Sequence, residues 1–389
     1  MALLTRKRLI LLKKETTYGT DASPAATDAV LVRDLSVTPM QSDVVSRDLV
    51  RSYLGASEQL LANTRVQCQF TVELASSGVS GQAPRFGAAL QACGLSELIT
   101  ASAVTGSAQA GTTNSITLAA GASATDNAYL GMYITITSGT GNGHAGIITA
   151  YVGSTKVATV APITTTFVPG ASSAYSITAN ANYRPISSTS SSATIYYNID
   201  GILHSITGAR GTFTMDTSVG AIPSIQFTMT GIYNTPSDTP APAGITYSNQ
   251  ATPLIFKQGN TTGFRFFNYA GCVQSFSFDV GNTIVYRELV NCTKEALLTA
   301  RSSSGSVSME VAALSAGFNP FTSALTDGTT GAASFMHGTA DTNRFLFLSP
   351  RLDLADPSYT DTDGIAMYNL PFTAVPSSTG NDEFVLTFA

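Results

Sequence analysis

One phrase occurs twice in this chain, and no other feature limits its architecture as tightly. Val44-Val45-Ser46-Arg47-Asp48-Leu49-Val50 returns 240 positions later as Ile284-Val285-Tyr286-Arg287-Glu288-Leu289-Val290. After a similar gap each copy is followed by an alternating apolar–polar run, Val66 to Leu74 and Val307 to Leu314. Alternation at period two gives a strand one face for a core and one for water. A repeat of this length implies two copies of one unit in a single chain; short similarity between two β-rich stretches is the other reading. Two like units per chain let a few chains close a ring that looks as if it had twice as many.

The length of 389 residues accommodates two or three domains, each with its own core. Charged residues make up only 12%, hydrophobic residues 43%, and Trp is absent. Ser, Thr, Gly and Ala fill the difference, a composition that suits β-structure with much of its surface in subunit contacts. Recurrent Val, Ile, Leu, Phe and Tyr in strand-like runs exclude disorder. The net charge of −5 argues against a nucleic-acid binder with a basic face and suits a surface that repels DNA. Cys68, Cys93, Cys272 and Cys292 lack CxxC and zinc spacing and are read as reduced core thiols, disulfides being the other reading. The apolar run Leu9 to Leu12 is too short for a signal peptide, and no stretch reaches membrane-spanning length, so a reducing cytoplasm is expected.

Along the chain, Val30 to Met40 and Val66 to Leu74 read as strands, and 41–64 between them as a long loop with mixed charges. Pro84 to Cys93 is a helix candidate, with Phe86, Leu90 and Cys93 on one face and Gly94 as its stop. From 102 to 180 Lys and Arg vanish except Lys156, and short alternating strands point to an inserted β-sandwich. Strand patterning resumes at Tyr183. Pro236, Pro240, Pro242 and Pro253 mark a linker, and Lys294 to Arg301 is a second helix candidate. The expected division is a first unit over 1–101 and 181–235, the insert over 102–180, a linker over 236–253 and a second unit over 254–389.

Motifs for chemistry are weak. Gly141-Asn142-Gly143-His144-Ala145-Gly146 matches a dinucleotide loop, but a strand-like run follows where a phosphate site needs a helix, so a hairpin turn is the reading. Asp361-Thr362-Asp363-Gly364 lacks the closing Glu of a calcium loop and reads as a turn. His144, His204 and His337 have no ligand spacing. No carboxylate pair for glycoside hydrolysis stands out. Neither catalysis nor a cofactor or metal is expected. The 41–64 segment is richer in apolar residues than a free loop, and such loops are uncommon unless they bind something. Contact with other subunits is therefore assigned to Val44, Val45, Arg47, Asp48, Leu49, Arg51 and Leu54, and, in the second copy, to Ile284, Val285, Arg287, Glu288 and Leu289.

Four further stretches carry a resemblance. They are Lys14-Glu15-Thr16-Thr17-Tyr18-Gly19-Thr20 before an Ala/Pro run, Ala83 to Leu95, Gly208 to Met215 leading through Gly220 and Pro223 to Gly231, and a final strand Asp382 to Phe388. This ordered set resembles the major tail tube protein of long-tailed (siphovirus-type) bacteriophages; the apparent duplication is where the chain departs from that family, many of whose members have one tube unit and form hexameric rings. The resemblance implies a mainly β fold, α+β in detail: two tandem tube-like β-sandwich or barrel units, each with a short helix, with the small β-sandwich inserted and facing outward. It implies self-assembly into stacked rings whose inner sheets close around a lumen, with the long loop touching the adjacent ring. Two units per chain imply a trimer with pseudo-sixfold symmetry, the alternative being a hexamer. Implied partners are tail-tip or initiator and terminator proteins, a tape-measure protein inside the tube, and double-stranded DNA in transient passage, with no membrane. The implied location is the virion tail, assembled in the host bacterial cytoplasm. A tail-tip, fibre or decoration protein with Ig-like domains, or a cell-surface carbohydrate-binding or carbohydrate-degrading protein, shares the β-rich composition and remains the alternative.

Overall fold

The computed structural model describes residues 3–47, 49–164, 166–188, 190–314, 318–326 and 328–389. It is mainly β, with two short α-helices among the described residues. The first part runs β1 (Arg8–Lys14), β2 (Ala29–Val30), β3 (Arg33–Ser46), β4 (Gln59–Glu73), α1 (Gly87–Ala92) and β5 (Leu95–Thr100). Seven short strands follow: β6 (Val104–Ser107), β7 (Ala110–Thr112), β8 (Ser115–Thr117), β9 (Tyr133–Ser138), β10 (Ala145–Val152), β11 (Val157–Pro162) and β12 (Ala174–Ile177). Next come β13 (Asn180–Pro185), β14 (Ala193–Ile199), β15 (Ile202–Ser218) and β16 (Ser224–Tyr233). The remainder is β17 (Thr261–Phe266), β18 (Val273–Asp279), β19 (Asn282–Arg287), β20 (Glu295–Arg301), β21 (Ser304–Glu310), α2 (Pro320–Leu325), β22 (Gly331–His337), β23 (Phe345–Leu354), β24 (Ser358–Thr362), β25 (Ile365–Ala374) and β26 (Val385–Phe388).

Antiparallel pairings link eight of these strands into one open sheet, in the order β3-β4-β16-β15-β18-β21-β25-β24. The first four come from before the Pro-rich stretch and the last four from after it. A second layer holds β5-β13-β26-β23-β22-β17, so β26 lies between a strand of the first half and one of the second. One apolar core lies between the layers and draws on both halves. At its centre Phe276 meets Phe347 at 4.8 Å and Phe335 at 5.3 Å between ring centroids, both edge-on. Such pairs add about 0.5–1.5 kcal/mol each beyond the area they bury.

Strands β6 to β12 form a separate seven-stranded sheet with its own core around Tyr129, Tyr151, Phe167 and Tyr175. This inserted sheet is fixed to the second layer. The sides of β22, β23 and β26 that turn away from the main core, Met336, Leu346, Leu348 and Val385, cluster with Leu130 and Ile147. Arg184 donates from Nη1 to Asn127 O at 2.7 Å and from Nη2 to Leu130 O at 3.0 Å. Gly131 sits at φ +77, and a Cβ there would come within 2.6 Å of Val385 Cγ1, so only glycine lets the insert approach this closely.

The helices answer local signals. Pro84 precedes α1, which ends at Gly94 with φ +82. In α2 the Asn319 side chain caps Phe321 N and Thr322 N, and Pro320 takes the first position. The helix expected over Lys294 to Arg301 is instead strand β20, paired with β19. Glu-Ala-Leu-Leu has helical propensity, but a segment this short cannot hold a helix alone, and pairing with β19 decides its state. The loop expected over 41–64 is likewise largely strand: β3 and β4 continue outward as a long hairpin with register breaks at Thr38/Gln41 and Gln41/Asp43.

Candidate functional site

The eight-stranded sheet has two unlike faces. Cys68, Phe70, Phe213, Met215, Phe227, Phe276, Phe278, Met309 and Phe372 point into the core. The alternate positions carry Gln67, Gln69, Thr71 and Glu73 on β4; Ser224, Gln226, Thr228 and Thr230 on β16; Thr212, Thr214, Asp216 and Ser218 on β15. They continue with Ser275, Ser277 and Asp279 on β18, and Ser304, Ser306, Ser308 and Glu310 on β21. Hydroxyls on this face bond one another, as in Ser277 Oγ to Ser306 Oγ at 2.9 Å. Glu73, Asp216, Asp279 and Glu310 are the acids among these positions, none of which holds Lys or Arg; on the edge strand β3 the exposed Arg33 lies opposite Thr71 on the same face. Arg65, where β4 leaves for its hairpin, is held by Asp43 at 3.2 Å. Asn63 and Arg65 both donate to the Asp43 carboxylate and hold its pKa below the usual range.

Among the described residues, β3 pairs only with β4 and β24 only with β25, so the sheet ends in two free edges. Free edges are a template for further pairing. Strand order in the two halves is the same: β3-β4-β16-β15 matches β18-β21-β25-β24. The halves join where β15 meets β18, from Thr214 opposite Asp279 to Ser218 opposite Ser275.

The repeated phrase forms two hairpins at one end of this sheet. In the first, Val44, Val45 and Ser46 face Leu61, Leu60 and Gln59. In the second, Ile284, Val285 and Tyr286 face Leu298, Leu297 and Ala296. The register is the same, with the second strands related by 237 positions rather than 240. The sequence match of Val66 to Val307 is thus slipped by four residues, an even number that keeps the core face unchanged. Each hairpin also has the same ion pair, Arg47 with Glu58 at 3.0 Å and Arg287 with Glu295 at 3.5 Å.

The two hairpins differ in what covers them. β19–β20 lies on the first half of the sheet. Glu295 meets the buried Arg210 at 3.1 Å. Asn282 Nδ2 donates to Cys93 O at 2.6 Å, and Tyr286 Oη donates to Thr64 O at 3.0 Å. Tyr18 Oη accepts from Ala296 N at 2.6 Å, and burial pushes its pKa up to about 12. Gly281, at φ +62, lets the chain leave β18 for this hairpin, because a Cβ there would strike Ser302 O. The first hairpin has no such cover: Val44 is 54% exposed, Leu61 54% and Leu54 fully exposed.

Of the residues assigned to subunit contact, Val44 and Val45 are on β3. Arg47, Leu49, Arg51 and Leu54 lie in its turn, where Arg51 sits over the Tyr53 ring. Asp48 lies outside the described residues. Ile284, Val285 and Arg287 are on β19, and Glu288 and Leu289 follow it, Glu288 pairing with Lys294 at 2.9 Å. The sequence reading missed the polar face and the two free edges. The Gln/Thr/Ser alternation without cations was visible in Gln67 to Glu73 and Ser304 to Glu310, but strand order was needed to put those positions on one surface.

Gly141 to Gly146 links β9 to β10, with Gly141 and Gly143 at positive φ, the hairpin turn expected. Asp361 Oδ1 accepts from Gly364 N in the β24–β25 turn. His337 is buried and satisfied, with Nδ1 2.9 Å from Thr261 Oγ1 and Nε2 3.1 Å from Leu254 O. No group of three or more His, Cys, Asp or Glu is gathered for a metal among the described residues. Among the described residues no helix is long and apolar enough to cross a membrane. The cysteines differ from expectation: Cys68 and Cys93 are buried, but Cys272 and Cys292 are exposed. Burial pushes the Cys68 thiol up to about 12 and raises Cys93 further. A thiol reagent at pH 8 should therefore titrate two groups in the native chain and four in urea; four fast groups in the native chain would contradict this packing.

The family model described as phage tail tube protein matches residues 5–374. The chain belongs to that family. It is a structural tail tube protein and a component of the phage virion tail. Among curated proteins none matches it.

Proposed function

We propose that three chains of this tail tube protein close a ring, each giving eight strands to one barrel whose polar face lines the conduit for double-stranded DNA. The observation that carries this reading is the repeated strand order. The seam between β15 and β18 within a chain has a counterpart between β24 of one chain and β3 of the next. Matching cross-strand partners makes Ser358 equivalent to Thr214 and Thr360 to Asp216. Likewise Thr38 is equivalent to Asp279 and Ser36 to Ser277. Across chains, Ser358 then faces Thr38, Tyr359 faces Val37 and Thr360 faces Ser36. Closure leaves no edge. Strands about 4.8 Å apart and tilted by about 40° put twenty-four of them around a barrel about 48 Å across at the backbone, wide enough for a duplex. A wall of hydroxyls, amides and carboxylates has no clustered cations to hold phosphate. Six chains of eight strands would give a far wider pore, which favours three.

The inserted sheet stands outside the tube in this arrangement, since it packs on the outer layer, across the core from the polar face. The domain division read from the sequence fits the same scheme, with each unit supplying four strands of the wall. Rings then stack, with tail-tip, terminator and tape-measure proteins as partners and assembly in the host cytoplasm.

The test is a cysteine pair, Thr38→Cys with Ser358→Cys, in a chain whose Cys272 and Cys292 are serine. Directly opposed residues on neighbouring antiparallel strands are within disulfide reach. Oxidised tubes should yield covalent dimers and trimers and nothing larger. A ladder extending to six, or no cross-link in intact tubes, would refute the threefold seam.

A further inference from the structure

We propose that the β3–β4 hairpin docks within its own ring, on the second half of the adjacent chain, where α2 ends and β23 bends into β24. The inference rests on the ring reading above and names the partner surface of the exposed hairpin. It differs from the contact with the next ring that the resemblance implies.

The chain contains its own template for this contact. Hairpin β19–β20 leans from the β15/β18 seam over the half that precedes it, onto the end of α1 and the start of the wall portion of β15. It has the same register and the same Arg–Glu pair as β3–β4. Docking in this way leaves Leu297 and Leu298 half-buried, whereas the matching Leu60 and Leu61 are 52% and 54% exposed. The receiving side is matched as well. Leu298 packs toward Gly94, just past α1. Beyond the seam, the equivalent place is the end of α2, where Leu325 is 82% exposed. An unpartnered leucine on the hairpin thus corresponds to an unpartnered leucine on the receiving surface. In the template Glu295 meets Arg210. Its counterpart Glu58 reaches the bend after β23, near Arg351, which is exposed and has no ion pair among the described residues. An apolar pair beside an added cation is the chemistry that a second copy of this chain supplies.

The test is a photo-crosslinking residue, p-benzoylphenylalanine, in place of Leu61, in virions carrying the full chain. Val45, on the facing strand, is a second position for the same probe. Irradiated tubes should give species of two and three chain masses, with the adduct mapping to 318–326 or to 349–358. An adduct on the far rim of the wall, near Val219 or Glu310, would place the hairpin on the next ring and overturn the proposal. So would an adduct confined to the probe's own chain. If Thr38→Cys/Ser358→Cys still closes trimers while the Leu61 adduct lies elsewhere, the docking is wrong and the ring stands. If neither cross-links between chains, the ring reading itself fails.

Discussion

Replacing Arg210 with methionine should weaken the chain by about 3 kcal/mol, with the loss concentrated in the β19–β20 hairpin. The Arg210 side chain is only 4% exposed and bonds Glu295 Oε1 at 3.1 Å, Ala296 O at 2.8 Å and Ser190 O at 3.0 Å. Its guanidinium also lies 4.5 Å over the Tyr18 ring. Methionine keeps most of the apolar volume but leaves Glu295 and two carbonyls short of a donor. Glu295 is 23% exposed and retains Arg287, so water and that second cation offset part of the cost. Hydrogen exchange should therefore rise in residues 282–301 before it rises in β18 or β21. A uniform rise, or a change in urea midpoint corresponding to less than about 1 kcal/mol, would show that Arg210 does not hold the hairpin.

The second large effect concerns the polar face. Glu73, Asp216 and Glu310 are exposed there, and changing all three to lysine should leave the core untouched while reversing the charge of the wall. Asp279 is left out because its Oδ1 accepts from Gly281 N at 2.7 Å and holds the turn out of β18. In a three-chain ring the change adds nine lysines around the conduit. Proteins making about 6–10 phosphate contacts lose roughly 10³–10⁵ in affinity between 50 and 200 mM salt. Isolated variant tubes should thus retain duplex DNA at 50 mM salt and release it at 200 mM, and virions should adsorb yet deliver DNA slowly. Parent tubes should retain none. Variant tubes indifferent to DNA at low salt would mean that this face does not line the lumen.

Much of this was legible in the sequence because its signals were local. The doubled phrase marked a repeated element, alternation marked β4 and β21 although the second run, read through Leu314, ends as a strand at Glu310, and the low-charge stretch after 102 marked the separate sheet. The failures have physical causes. Lys294 to Arg301 has helical residues but is decided by pairing with β19 and by its seat on Arg210. The segment 41–64 lacks clean alternation because bulges near Gln41 break the register, so an extended hairpin read as loop. Neither free edge could be recognised locally, since an edge is defined by the absence of a neighbour. Nor could the Glu73, Asp216 and Glu310 surface, which is assembled from strands spread over more than 200 residues of chain.

The central claim is that one chain spans one third of a closed barrel. Cryo-electron microscopy of intact tubes, reconstructed without imposed symmetry, tests it most directly. The account predicts three copies per ring, twenty-four wall strands, three outer knobs from the inserted sheets and continuous density between β24 and the next chain's β3. Six knobs per ring, or a gap in the wall at β3, would contradict it.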